Sequence, residues 1–222
     1  MKKLKVSLRN DEILSQIHSH VKNKKVLDVG CIEHRLENKN KDRIWVHDFL
    51  RNTCKEVTGI DIVKEDIIKL RKEGYNVYYS NAETFKLNKK FEVIFAGELI
   101  EHLSNPGLFL NKCKDHLEKD GILIITTPNA FSLKRIFNII LKYTNDPSVN
   151  KEHTCWFSPK VLKELLLRYN FLIFDIKYAN YPQIRPKIFQ RVTNFLCIFF
   201  RKKFKETIII FAKKSNLQDI GK

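Results

Sequence analysis

Two short apolar runs in this chain carry aspartates near their far ends: Val26 Leu27 Asp28 Val29 Gly30 Cys31, and Val57 Thr58 Gly59 Ile60 Asp61. Buried parallel strands read as near-continuous apolar stretches, and ligands of open α/β sheets bind beyond the strands' carboxyl ends. Gly30 lets the backbone turn sharply and approach a ligand closely, while Asp61 is placed to accept hydrogen bonds from two vicinal ribose hydroxyls. The pattern predicts a nucleoside-cofactor site. After a further apolar run, Phe91 to Ala96, come Glu98, Glu101 and His102, with His153 fifty-one residues beyond His102. Carboxylates and imidazoles in such a set can move a proton near neutral pH, because an imidazole titrates near ~6.5. They can also hold a hard to borderline divalent cation.

The elements that must position these residues follow from periodicity. Ile13, Leu14, Ile17 and Val21 recur at helical spacing within Glu12 to Val21, with His18 and His20 on the wet side. Lys25 to Val29 is the first strand, Glu33 to Asn40 a polar loop, and Asp42 to Cys54 a helix with Ile44, Trp45, Phe49 and Leu50 inward. Strand two spans Glu56 to Ile60. A helix from Lys64 to Glu73, ended by Gly74, leads to strand three, Asn76 to Tyr79. Phe91 to Ala96 is strand four, Pro106 to Lys119 a helix entered at Asn105, and Ile122 to Thr126 strand five. Repeated strand and helix alternation predicts a mainly parallel sheet with right-handed crossovers. Beyond it lie a cationic amphipathic helix from Ser132 to Tyr143, a polar loop from Asn145 to His153, and a helix from Ser158 to Tyr169. Two more strands, Phe171 to Tyr178 and Glu206 to Ala212, bring the total to seven, with a helix from Pro186 to Lys205 between them.

The 222 residues suit one α/β domain, 1–222, elaborated at 130–160 and 180–205 by segments expected to cover the substrate. The formal charge of +16 attracts phosphate on a nucleic acid, a lipid headgroup or a nucleotide-linked metabolite without choosing among them. Five widely spaced cysteines, Cys31, Cys54, Cys113, Cys155 and Cys197, include no CxxC pair; this argues against a disulfide framework and for a reducing, cytoplasmic compartment. No window approaches 18 uncharged apolar residues, which makes a membrane span unexpected. Arg185 to Lys205 holds seven Lys or Arg residues and no acid, interleaved with phenylalanines. On a helix this is a lid over the domain's own site or a peripheral contact with an anionic membrane; RNA is the less favoured partner.

The residues resemble the class I S-adenosylmethionine-dependent methyltransferases from Lys25 to Lys214. Asp28 and Gly30 stand after strand one, Asp61 after strand two, Asn81 Ala82 Glu83 after strand three, and Ala96 Gly97 Glu98 Leu99 Ile100 Glu101 His102 Leu103 after strand four. The phrases GELIEHLSNPGLFL, IITTPN and HTCWFSPKVLKELL look most like bacterial and archaeal members that act on surface glycans and small metabolites. The resemblance implies a Rossmann-like seven-stranded sheet with helices on both faces and the last strand antiparallel. It also implies S-adenosylmethionine as cofactor. Gly30 and the neighbouring Cys31 main chain would face its methionine part, Asp61 and Ile62 its ribose, and Asn81 and Ala82 its adenine. Gly97 would open the methyl group toward the substrate pocket. The sequence departs from the family in one place: Ile32 and His34 stand where two further loop glycines are usual. The segment between Asp28 and Asp61 is also longer than the roughly 20 residues usual in nucleotide folds, and it carries Trp45 and His47.

Methyl transfer from a sulfonium needs alignment and exclusion of water more than it needs catalytic groups. A hydroxyl acceptor adds one requirement, a base, and His102 with Glu101 beside it is the first candidate. Glu98, Glu101, His102 and His153 are in addition similar to the metal site of the small-RNA 3′-terminal 2′-O-methyltransferases. The favoured expectation is O-methylation of a small-molecule or glycan-type acceptor without a metal. The alternatives are metal-assisted ribose methylation of RNA and a non-catalytic nucleotide-binding scaffold. A dinucleotide oxidoreductase is disfavoured because the pyrophosphate-cradling GxGxxG is missing.

Overall fold

The computed structural model describes residues 12–32, 45–142, 151–180 and 202–215. Among these residues six α-helices flank one sheet: α1 (Glu12–Val21), α2 (Val46–Thr53), α3 (Lys64–Lys72), α4 (Pro106–His116), α5 (Leu133–Lys142) and α6 (Pro159–Arg168). The strands are β1 (Lys25–Val29), β2 (Glu56–Asp61), β3 (Val77–Tyr79), β4 (Phe91–Gly97), β5 (Leu117–Pro128), β6 (Phe171–Ala179) and β7 (Thr207–Lys214). Their order across the sheet is β3-β2-β1-β4-β5-β7-β6. The pairs among β1 to β5 are parallel, and β7 runs antiparallel to both β5 and β6. This is the Rossmann-like arrangement the sequence predicts. Because strand order reverses between β1 and β4, the carboxyl ends of β1, β2 and β4 open a crevice there.

Alternation along the strands builds two cores. Leu27, Val29, Ile94, Ala96, Leu123 and Ile125 pack against Phe109 and Leu110 of α4 and Leu162 and Leu166 of α6. Val26, Val93, Phe95, Ile124 and Phe211 face the other way, onto Ile13, Leu14, Ile17 and Val21 of α1 and Phe49 and Leu50 of α2. Each fully buried large apolar side chain contributes roughly 1.5–3 kcal/mol, so helices on both faces hold the strand ends rigid. The helix starts are built as the sequence suggests. Asn105 Oδ1 accepts from the Leu108 amide and Ser158 Oγ from the Val161 amide, each before a proline in the first turn.

The structure corrects some expected limits. α4 stops at His116 and β5 begins at Leu117, five residues before the expected Ile122, because Leu117 is buried and pairs with Phe91. His116 closes the helix: its Nε2 accepts from the Leu87 amide while Nδ1 meets the Lys112 carbonyl. His18 and His20 are half-buried, and the His20 ring lies 4.6 Å from that of Phe211. The expected loop at Glu33 to Asn40 and nearly all of the expected helix from Pro186 to Lys205 fall outside the described residues. Lys202–Phe204 is a single 3-10 turn. Among the described residues, no helix is long and apolar enough to cross a membrane.

Candidate active site

At the carboxyl end of β1, Gly30 has φ +77°, and a Cβ there would stand 3.1 Å from Leu99 Cδ1. The turn demands glycine on both counts. The Gly30 and Cys31 amides both donate to the Ile60 carbonyl, at 2.9 and 3.3 Å, which ties the loop to β2. Asp61 ends β2 with 8% exposure; its Oδ2 accepts from the Ile32 amide at 2.9 Å and its Oδ1 from the Val63 amide at 3.1 Å. Burial pushes the Asp61 carboxyl above its ordinary range, while the backbone amides of Ile32, Val63 and Ile62 pull it back. Among the described residues no cationic side chain pairs with it. Each oxygen keeps a further lone pair, so the carboxylate suits a neutral donor pair such as a vicinal diol. Beside it, Ile62 is 63% exposed and Tyr79, its neighbour across from Asp61 on β3, is 61% exposed. These apolar surfaces suit the face of a base. The residues present therefore fit an adenosyl group.

The remaining expected cofactor residues fall around this edge. Asn81 is exposed and its Oδ1 accepts from the Glu83 amide at 2.7 Å, a local turn just after β3. Ala82 is buried in the core beneath it. Gly97 closes β4, where a Cβ would strike the Phe95 ring at 2.8 Å. Asp28 and Cys31 are buried, at 3% and 2% exposure, and the Asp28 carboxylate is engaged by His47 Nδ1 at 2.8 Å. Asp28 thus supports the loop from below. The Ile32 side chain, in a usual glycine position, is buried with Cys31, Trp45, Ile67 and Leu70 in a satellite core. His34 lies outside the described residues.

The second half of the site follows β4. Glu98 adopts φ +49°, a conformation rare for a side-chain-bearing residue, and is held there by its amide donating to Thr126 O and Oγ1 and by Thr126 Oγ1 donating to Glu98 Oε1. The reversal feeds a 3-10 turn, Ile100–His102. It buries Glu101 to 1% exposure: Oε2 accepts from Thr127 Oγ1 at 2.9 Å, and Oε1 has no hydrogen-bond partner among the described residues. Burial, and then the charge of Glu98, raise the Glu101 carboxyl to about 8. The Glu101 carbonyl accepts from the Thr154 and Cys155 amides, which brings His153 to the His102 ring edge-on, 4.6 Å between centroids. The His153 imidazole is pushed down by burial, then by His102 and Arg135, and its Nδ1 is buried without a partner among the described residues. Ligand atoms of Glu101, His102 and His153 all lie within 4.8 Å of one another. Three members of the expected four come together; Glu98 is outside the group, on Thr126.

Several residues here were not singled out from sequence. Thr127 and Thr154 hold Glu101, and Arg135 lies 4.1 Å over the Trp156 ring. Asn129, fully buried, joins the end of β5 to the Lys203 and Lys205 carbonyls through Nδ2 and to the Phe131 amide through Oδ1. The only signal for Thr127, Asn129, Thr154 and Trp156 was their place in the phrases IITTPN and HTCW, and Arg135 had none.

A doubly flanked, mainly parallel sheet, an acid at the end of β2 suited to a ribose, and an acid and imidazole group after β4 define a nucleoside-cofactor enzyme of Rossmann-like fold. A family model described as a methyltransferase domain matches residues 5–174, and the chain belongs to that family. It is an S-adenosylmethionine-dependent methyltransferase. The chain is 29% identical over 188 residues to the ubiquinone biosynthesis O-methyltransferase of Rickettsia canadensis, covering 80% of this chain and 76% of that protein. It is 32% identical over 130 residues to the protein of the same name from Actinobacillus pleuropneumoniae serotype 5b, covering 53% of this chain and 51% of that one. The chain thus spans about half of the latter relative. The fold is shared with an S-adenosylmethionine-dependent methyltransferase from Archaeoglobus fulgidus (TM-score 0.61, 21% identity, 91% of each chain). It is shared also with the 1,6-didemethyltoxoflavin-N1-methyltransferase of Burkholderia thailandensis, solved with S-adenosylhomocysteine (TM-score 0.55, 17% identity, 91% of this chain and 76% of that one).

Proposed function

We propose that this enzyme methylates a hydroxyl of a small-molecule or glycan-type acceptor in the space between the end of β4 and the segments 131–142 and 151–157. The observation that carries the reading is the group Glu101, His102 and His153, a buried acid and two imidazoles at the mouth of the cofactor edge. The curated relatives named as O-methyltransferases support the same chemistry. In this reading Asp61 accepts from the ribose hydroxyls, Ile62 covers the adenosyl ring, and Asn81 and Ala82 border the adenine. The main chain at Gly30 and Cys31, propped by Asp28, lines the methionine end, and Gly97 leaves the methyl group open to the acceptor.

When bound, S-adenosylmethionine supplies a methyl group on a good leaving group. The chain aligns the acceptor oxygen in line with it and takes the hydroxyl proton at an imidazole nitrogen of His102. Glu101, whose carboxyl burial pushes up to about 8, is given a supporting part in this reading. Its part is to hold the turn that carries His102 and, through its carbonyl, the segment that carries His153.

One observation favours a second reading. Two buried atoms without described partners, Glu101 Oε1 and His153 Nδ1, belong to the group whose ligand atoms converge within 4.8 Å. Glu101, His102 and His153 would hold a divalent cation, which would ionise Glu101 and orient a diol, as metal-assisted ribose methylation of RNA requires. Transfer of a labelled methyl group to a panel of small phenols and sugars, and to RNA with a 3′-terminal ribose, with chelator or added Mn²⁺, separates the two. Chelator-resistant transfer to a small acceptor supports the first. Transfer to RNA that chelator abolishes overturns it in favour of the second.

A further inference from the structure

The loop between β1 and α2 has one glycine where the backbone must turn, and yet it presents the Ile32 amide to Asp61 Oδ2 at 2.9 Å. Two side chains at the start of α2 hold it there. Trp45 Nε1 donates to the Cys31 carbonyl at 2.8 Å, one residue before that amide. His47 Nδ1 meets Asp28 Oδ2 at 2.8 Å beneath the loop, with both side chains at most 4% exposed. The same imidazole and the Cys31 thiol crowd Gly59 of β2, where an added Cβ would lie 2.8 Å from His47 Cε1 and 2.7 Å from Cys31 Sγ. His47 therefore touches β1 through Asp28, β2 at Gly59 and, in ring contact at 5.3 Å, Trp45 itself. The Tyr75 ring lies tilted against both, 5.3 Å from Trp45 and 6.0 Å from His47 between centroids, and its hydroxyl donates to Asp48 Oδ1 of α2 at 2.6 Å.

We infer that Trp45 and His47 are positioning residues for the cofactor: the indole fixes the Cys31 carbonyl and the imidazole fixes Asp28, so that the Ile32 amide orients Asp61. The inference rests on the reading of Asp61 as the ribose carboxylate. Neither aromatic residue contacts the cofactor in this scheme. They act through two hydrogen bonds, one on a backbone carbonyl and one on a carboxylate, beneath a turn whose Ile32 side chain is itself packed in the satellite core.

Titration of the full chain with S-adenosylhomocysteine, by calorimetry far below the melting temperature, tests this. Trp45→Phe, which removes the indole N–H together with part of the buried ring, should weaken binding three-fold or more, and His47→Leu ten-fold or more. His47→Asn, which places an amide N–H near the Nδ1 position, should restore affinity to within three-fold of wild type even where its melting temperature stays low. A purely structural role would lower the melting temperature of all three and leave affinity alone. If His47→Leu does not fold, Trp45→Phe and the His47→Asn comparison decide. Wild-type binding with Trp45→Phe and the folded His47 variants all within two-fold of it overturns the inference. A wild-type chain that does not bind overturns the ribose reading of Asp61 as well.

Discussion

Glu101 is a carboxyl group placed where its charge has little support. Burial and the neighbouring Glu98 hold it near 8, against an ordinary value near 4.5, so the folded chain keeps a proton that the unfolded chain releases between those values. The stability this confers is fully present below pH about 4.5 and is lost as pH rises through about 8. Glu101→Gln removes the titration, and the variant should exceed wild type in stability at pH 9 by about 2–5 kcal/mol, with little advantage at pH 4.5. Urea denaturation of both proteins at the two pH values measures the difference; equal curves at pH 9 would show that Glu101 ionises freely. His102, one residue on, is assigned the proton. His102→Ala should lower turnover on any hydroxyl acceptor by roughly 10²–10⁴-fold without loss of S-adenosylhomocysteine affinity. Undiminished turnover would remove it from the chemistry.

The elements carry the site because their ends are set locally. Ser158 caps α6, the helix whose Leu162 and Leu166 seal one face of the sheet just after the segment that brings in His153. Ser158→Ala should cost about 1 kcal/mol, read as a lower urea midpoint with an unchanged slope. Asp28, Gly30 and Asp61 were placed correctly at strand ends from sequence because a buried parallel strand is an apolar run and its end is marked by the change in polarity. The start of β5 was not, since Glu118, Lys119 and Asp120 read as the polar end of a helix while Leu117, the residue that decides, pairs with Phe91 across the sheet. The convergence of His102 with His153 was readable as a set of residue types. The exclusion of Glu98 was not, because it depends on a left-handed turn imposed by Thr126. Likewise Asp28 and His47, or Asn129 and Lys205, meet only through tertiary packing and share no sequence signal.

At the scale of the whole molecule, seven strands place two kinds of chemistry at one edge of a rigid sheet. The β1 and β2 ends offer a buried carboxylate that no cation pairs with among the described residues, and the β4 and β5 ends offer an acid shielded from water beside two imidazoles. The formal charge of +16 favours anionic ligands for the chain as a whole, whereas in the proposed reading the cofactor is selected by neutral donors at Asp61. Calorimetric titration with S-adenosylhomocysteine of the wild-type chain and of Asp61→Ala reads that fit. Wild type should bind, and Asp61→Ala should bind more weakly by about 1.5–3 kcal/mol, roughly a ten- to hundred-fold loss. Equal affinity in the two proteins would contradict the placement of the ribose at the end of β2.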